Sequence, residues 1–412
     1  MRKPVFYIEI IALVTTAITA LGACTRDSTL IWDFSSSNMA LSENKPTASD
    51  PAEREEFPLR YGYTQLSEAE RALYIRIKKA VFNFDPWISA DGNGEDIFKK
   101  VFITFTGDYP ECFWLSGDWT ISGYETGGER YYTKFTPNFR YTRTEAAVIK
   151  EKLEKIVAEF LAGIDPDASD YEKMLAVYDY VAVSAEYDTV SARKISNNKI
   201  DESTDLSGTI EGYFINRLAV CAGFSRATQL LLHRLGIECA YVTGTAAGGS
   251  HSWNLVKLDG EYYYIDTTWA SPHSSGGTGV NYNYFCMTTD DLLLDHTPDK
   301  ELSLPECGAT AFNYYVYNDL TADEYNKERL AEIFNFSVGR GLSSATVKFT
   351  SRAAYDEAQK RLFTDGEIFE VLDRVESAAD GAAAGMNCMS LRYNTDDGKF
   401  IITVFPKFKA DA

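Results

Sequence analysis

Histidine is scarce in this 412-residue chain. There are four, at 233, 251, 273 and 296, and no two stand at a zinc-ligand spacing. A metal site built on paired His or Cys ligands is therefore not expected, and no cofactor is. The seven cysteines, at 24, 112, 221, 239, 286, 307 and 388, are widely spread and form no CxxC. That spacing excludes the dense disulfide framework of a small secreted domain. Basic residues are outnumbered, 40 Lys and Arg against 60 Asp and Glu, for a formal net charge of −20. Phosphate binding needs clustered positive charge, so nucleic acid is excluded as a partner. No apolar run reaches the roughly 20 residues of a comfortable membrane span. No internal repeat is visible.

The composition that remains is globular, 45% hydrophobic and 24% charged, and the length suggests two or three domains at roughly 100–200 residues each. The first 23 residues have the parts of a secretory signal: Arg2 and Lys3, an apolar run from Ile10 to Ala20, then small residues. Glu9 interrupts the early apolar part. Leu21-Gly22-Ala23-Cys24 resembles a bacterial lipobox, which implies a lipid on Cys24 and an extracellular protein anchored to the bacterial cell membrane by that lipid alone. Plain secretion is the alternative.

Residues 24–56 are rich in Ser, Asn, Glu and Pro and read as a disordered tether. An N-terminal α+β domain is expected over 57–165, a second domain over 166–304, and a small C-terminal α+β domain over 311–412. Capping boxes place helix starts at Ser67 with Glu70, Thr142 with Glu145, and Ser169 with Glu172. "VFITFT", "CFWLSG" and "RYYTKFTP" read as strand pieces, and "DGNGED" at 91–96 as a turn rather than a calcium loop, since it lacks the sixth-position glycine and the later glutamate. In the last unit, "SATVKFT", a helix over about 352–363 and the hairpin "MSLRYNTDDGKFIITVF" predict a β-α-β-β module.

The chemistry concentrates between Cys221 and Trp269. Cys221 opens a helical pattern carried by Phe224, Ala227, Thr228, Leu231 and Leu235 and ended by Gly236. A thiol in a first turn feels the positive end of the helix dipole, which favours thiolate. A buried cysteine at a helix start is common, so Cys221 alone decides nothing. "HSWNLVKL" and "EYYYIDT" flank Asp259-Gly260, a strong hairpin signal. With a two-residue turn Leu258 pairs with Glu261, Trp253 faces Asp266, and His251 becomes the diagonal neighbour of Asp266. Diagonal Cα atoms lie about 7–8 Å apart, within reach of an imidazole and a carboxylate. Asp266 would then orient His251, and His251 would face Cys221, the order needed for thiol acyl chemistry. The backbone N–H of Cys221 is a natural oxyanion donor, and Thr209 in the preceding loop is a candidate for the second. Trp253 and Trp269 either wall a substrate cleft or fill core, with Trp253 the better cleft candidate. "TAAGGS" before His251 is either a lid or an ordinary connection. Asn254 points away and reads as structural, Cys239 as core, His233 as solvated, and His296 as a local turn or cap residue.

These stretches, "GYFINRLAVCAGFSRATQLLLHRLGI", "VTGTAAGGSHSWNLVKLDGEYYYIDTTW" and "YNYFCMTTDDLLLDH", resemble the transglutaminase-like domain of papain-like thiol enzymes over about residues 170–300. The resemblance implies an α+β core in which a helix carrying Cys221 packs on an antiparallel sheet carrying His251 and Asp266, with these three as nucleophile, base and orienter. It also implies a peptide or protein substrate, with a cell-wall associated one in view. The chain departs from its bacterial members at Tyr178-Asp179-Tyr180, where His-Asp-Tyr is frequent, and at Glu211, where a tyrosine is. Two functions are expected in turn: a cysteine enzyme that hydrolyses or transfers acyl groups of amide bonds, peptidase-like by preference, or a catalytically inactive binding protein with the same fold.

Overall fold

The structure is a computed structural model that describes residues 29–32, 60–91, 93–126, 129–272, 279–340, 342, 344–378 and 390–407. The signal-like segment and Cys24 lie outside the described residues. Residues 24–56 were expected to be tether throughout. Within them Thr29–Trp32 (β1) forms a strand instead; the rest lies outside the described residues.

Two compact units emerge. One spans 19–269 and 295–307, the other 270–294 and 308–412. Both mix helices with sheets, so the fold is α+β. Residues 57–165 and most of 166–304 fall in the same unit.

In the first unit, β1, Ile88–Ser89 (β2), Leu115–Thr126 (β3) and Glu129–Phe139 (β4) form one sheet in the order β1-β3-β4-β2. All three capping boxes form, and they start the helices Glu68–Phe82 (α1), Arg143–Leu161 (α3) and Asp170–Val183 (α4). Between β2 and β3 lies helix α2, Glu95–Asp108. It contains "VFITFT", read from the sequence as strand. The run is rich in β-branched and aromatic residues, which favour strand. Helical spacing overrides that preference here: Phe98, Val101, Phe102 and Phe105 fall on one face, and all four are buried. Glu95 and Asp96 in the first turn suit the helix dipole. "CFWLSG" is turn up to Trp114, with β3 beginning at Leu115.

The part of this unit that carries the site is a four-stranded antiparallel sheet in the order β10-β7-β8-β9. Its strands are Cys239–Ala246 (β7), Gly249–Leu258 (β8), Glu261–Ile265 (β9) and His296–Pro298 (β10). A separate short parallel pair joins Glu186–Tyr187 (β5) to Leu218–Ala219 (β6). Helix α5, Thr189–Ser196, follows β5. Helix α6, Cys221–Arg234, packs across β7 and β8. Gly236, at φ +79°, ends it; the Ile237 N–H donates to the Leu232 carbonyl, as a left-handed C-terminal cap requires.

In the second unit Thr321–Ala322 (β11), Ala345–Phe349 (β12), Ser390–Asp396 (β13) and Ile401–Lys407 (β14) form a sheet ordered β11-β12-β14-β13. The strand, helix and hairpin expected from the sequence are there, with Arg352–Gln359 (α8) as the helix. Two further helices, Lys327–Gly339 (α7) and Ile368–Ala378 (α9), pack on each other, and α7 packs on β12.

Candidate active site

The hairpin register is the one the Asp-Gly turn dictates. Leu258 pairs with Glu261, and the ladder runs to Asn254 opposite Ile265. Asp259 and Gly260 both have positive φ, 48° and 88°, as a two-residue turn between right-twisted strands needs. The next residue on each strand is Trp253 and Asp266, which puts His251 and Asp266 diagonal to one another. Their side chains meet: His251 Nε2 lies 2.8 Å from Asp266 Oδ2. A carboxylate only accepts, so the ring nitrogen donates. Nδ1 is left for Cys221, and the His251 ring hydrogen-bonds that thiol.

Cys221 is the first residue of α6. Its N-cap, Val220, supplies no side-chain acceptor. The first N–H groups of a helix have no intrahelical partner, and the Cys221 N–H is one of these. The thiol lines a cavity of about 730 Å³ together with His251, Tyr187, Thr209 and Arg226. Asp266 is fully buried. Its Oδ1 accepts from the backbone N–H groups of Thr268 at 2.8 Å and Trp269 at 3.2 Å.

Electrostatics follow from this enclosure. Burial raises the Cys221 thiol, but the hydrogen bond and charge of His251 and a hydrogen bond with Ser252 outweigh it, so the thiol sits below its ordinary value. Burial disfavours charge on His251, but Asp266 and Cys221 dominate and push it up to about 10. Burial also raises Asp266, and the two imidazoles, His251 and His296, more than reverse that, holding it well below the usual carboxylate range. The favoured arrangement is thiolate beside imidazolium beside carboxylate, the reactive state of a nucleophilic cysteine.

A family model described as the transglutaminase-like superfamily matches residues 155–267, the stretch that holds all three side chains. This segment belongs to the transglutaminase-like superfamily. The chain is similar to the kyphoscoliosis peptidases of Mus musculus, 26% identical over 50% of this chain and 32% of that protein, and of Homo sapiens, 25% identical over 44% and 29%. It thus spans about a third of the length of these curated relatives. A solved structure of a TGase is similar at 21% identity and a TM-score of 0.28, over 44% of this chain and 48% of that one.

Around this site several other expected roles change. Trp253, the candidate cleft wall, is fully buried, with its ring 6.0 Å from that of His251 and 4.8 Å from that of His296. It backs the imidazoles and does not line the cavity. Trp269 does the same at 5.4 and 4.6 Å. Thr209 lines the cavity, but its hydroxyl donates to the Leu206 carbonyl and accepts from the Gly212 N–H, and its own N–H donates to Leu206. It caps a short helix and has no donor left for an oxyanion. "TAAGGS" is no lid. Ala246 pairs with Gly249, and Ala247 and Gly248, both at positive φ, make a two-residue turn. His233 is not solvated but half-buried, its Nε2 2.8 Å from the Cys239 carbonyl and its Nδ1 3.1 Å from Arg60. Asn254 is buried and structural as expected, donating to the carbonyls of Ser225 and Ala240, and Cys239 is core. Glu211, the departure from the bacterial pattern, is buried and accepts from the Tyr141 hydroxyl at 3.1 Å.

Three site residues escaped the sequence reading. Ser252 is the neighbour of His251 on β8 and hydrogen-bonds Cys221. Tyr187 comes from β5, and its phenol is held well above the usual range by burial, then by Cys221, Asp266 and Asp188. His296 was read as a turn or cap residue; it is a buried strand residue whose Nε2 lies 3.3 Å from Asp266 Oδ2. The pattern "DH" carries no signal for that. Strand β10 brings it there by pairing His296 with Ala246, and small residues at 244 and 246 leave the room. A Cβ on Gly244 would stand 2.7 Å from the Trp253 ring and 2.2 Å from the Thr297 carbonyl. His251, Asp266 and His296 each bring a potential metal-ligand atom within 4.8 Å of the others, but hydrogen bonds among the three occupy those atoms.

Proposed function

We propose that this protein is a cysteine enzyme that cleaves or transfers the acyl group of peptide or protein amide bonds, with hydrolysis favoured. One observation carries the reading: a thiol at a helix start, an imidazole and a buried carboxylate are hydrogen-bonded in series at the wall of one cavity. The thiolate of Cys221 attacks the carbonyl carbon. The proton on His251 goes to the leaving amine, whose C–N bond breaks, and an acyl-enzyme remains on sulfur. Water, deprotonated by the now neutral His251, hydrolyses it; an amine in the same place would give transfer. The Cys221 N–H supplies one oxyanion donor, and the protonated Tyr187 hydroxyl, on the same cavity wall, the second. The lipobox-like Leu21-Gly22-Ala23-Cys24 supports a place at the bacterial cell surface with a peptide or protein, including one of the cell wall, as substrate.

The test is iodoacetamide labelling of the full chain at pH 6, read by mass spectrometry at Cys221, followed by digestion of a peptide library with and without an added amine. Fast labelling that His251→Ala slows, with cleavage lost in both Cys221→Ala and His251→Ala, supports the enzyme. A Cys221 that reacts no faster than an ordinary thiol favours the inactive binding protein.

A further inference from the structure

His296 lies outside the set that the proposed reaction uses, yet its ring is wholly enclosed. Trp253 and Trp269 close on it at 4.8 and 4.6 Å, and the His251 ring lies 5.5 Å away. Each of its two nitrogens meets a carboxylate: Nδ1 is 2.5 Å from Asp295 Oδ1, and Nε2 is 3.3 Å from Asp266 Oδ2. An imidazole nitrogen without a proton presents a lone pair, and a lone pair against a carboxylate oxygen is repulsive. With an ionised carboxylate at each end, the pattern that avoids a lone-pair clash has both nitrogens donating, and an imidazole that donates twice is a cation.

We propose that His296 is a positioning residue: a buried imidazolium, anchored by Asp295, that pins Asp266 and offsets part of its charge, and so limits how tightly Asp266 holds the proton on His251. This rests on the Cys221, His251 and Asp266 reading above. The charged and titratable groups in line are then Cys221, His251, Asp266, His296 and Asp295, with the Tyr187 phenol also facing Cys221 and Asp266. Signs alternate along that line. The consequence is chemical. Asp266 alone would stabilise the His251 imidazolium so well that it became a reluctant acid toward the leaving amine. The second cation, one ring away, corrects this. Asp266 also gains a second side-chain donor, which fixes its carboxylate plane and, through it, the His251 ring.

The experiment uses the full chain labelled with ¹⁵N-histidine; four histidines give a spectrum simple enough to assign by substitution. The wild type should show both His296 nitrogens protonated at neutral pH. His296→Gln keeps an N–H donor toward Asp266 but removes the charge. It should move the His251 titration upward by about two pH units, from Coulomb's law over the 5.5 Å ring separation at an effective dielectric of about 20, and lower kcat about tenfold with little change in KM. Asp295→Asn, at a half-buried position, should move both readouts the same way by less. A neutral His296 in the wild type, or a His251 titration that stays put in both variants, overturns the proposal. So does a result in which His296→Leu and His296→Gln lower thermal stability alone. If wild-type Cys221 shows no acid-stable thiolate, the proposed function itself fails and takes this inference with it. If it does and the variants leave His251 unmoved, only this inference is lost.

Discussion

Asp266→Asn is the sharpest perturbation the site allows, because it changes charge and donor pattern while keeping shape. Asp266 accepts four hydrogen bonds: from His251 at 2.8 Å, His296 at 3.3 Å, and the N–H groups of Thr268 and Trp269 at 2.8 and 3.2 Å. An asparagine can keep its carbonyl oxygen toward the two backbone donors. Its amide nitrogen then faces two imidazole nitrogens that were donating. His251 relieves this by switching tautomer, with Nε2 accepting and Nδ1–H turned to the sulfur. In that state it cannot take the thiol proton, and the imidazolium has lost its counter-charge. An ordinary thiol, with pKa near 8.5, is only about 0.3% thiolate at pH 6. A Cys221 thiol held below its ordinary value carries a larger thiolate share there, and substitution loses that share, by at most about 300-fold. A more basic thiolate is intrinsically more nucleophilic, with a Brønsted slope of about 0.4–0.5, which recovers much of the loss and leaves up to about tenfold in rate. Stopped alkylation with iodoacetamide at pH 6, quantified at Cys221 by mass spectrometry, measures this directly. The same comparison at pH 9.5 should close or reverse the gap, because both proteins then present thiolate and the variant's is the more basic. Circular dichroism confirms that the variant is folded. An Asp266→Asn protein that is folded and labels at the wild-type rate at pH 6 would refute the claim that the carboxylate sustains the ion pair.

Tyr187→Phe should lower kcat about 100-fold, the usual scale for one oxyanion donor, while Cys221 alkylation changes less than about twofold; equal loss in both assays would mean the phenol supports the thiolate and not the reaction. Gly244→Ala should cost about 2–3 kcal/mol from overpacking against the Thr297 carbonyl and the Trp253 ring, seen as a Tm lower by roughly 5–10 °C, and should also reduce activity because β10 carries His296; an unchanged Tm would show that this strand yields freely. Stability should have a plateau near neutral pH. The His251 contribution, from a folded value of about 10 against an ordinary 6.5, is complete below the ordinary value and lost as pH rises through 10. The Cys221 contribution, from a thiol lowered in the fold, is present above the ordinary thiol value and lost as pH falls through the lowered one. Thermal melts from pH 5 to 10.5 on wild type and a Cys221→Ala, His251→Gln double variant should diverge least at the two extremes, and parallel curves would contradict the linkage.

The hairpin of β8 and β9 was legible because its information is local. An Asp-Gly turn fixes the pairing, pairing fixes the faces, and faces put His251 beside Asp266 with no reference to the rest of the chain. The three capping boxes were legible for the same reason, since each hydrogen bond in them spans three residues. The head of α6 was also readable, since helical spacing and Gly236 mark where the helix carrying Cys221 begins and ends. "VFITFT" misled because residue preference and residue spacing disagree there, and burial of one helical face decides between them only once neighbours exist. His296, Tyr187 and Ser252 show the other limit. Tyr187 stands 34 residues before Cys221 and His296 stands 30 after Asp266, so chain separation alone does not bring either to the site; β5 and β10 do. Trp253 lies on the face the sequence assigned it, but whether that face opens on a cavity or on two imidazoles depends on what packs over it. Short-range hydrogen-bond geometry and periodicity thus put His251 beside Asp266 and Cys221 at the head of a helix from sequence alone. The groups that tune their charge were settled only by tertiary packing, because burial and Coulomb interaction depend on distance in space and the chain records only distance along itself.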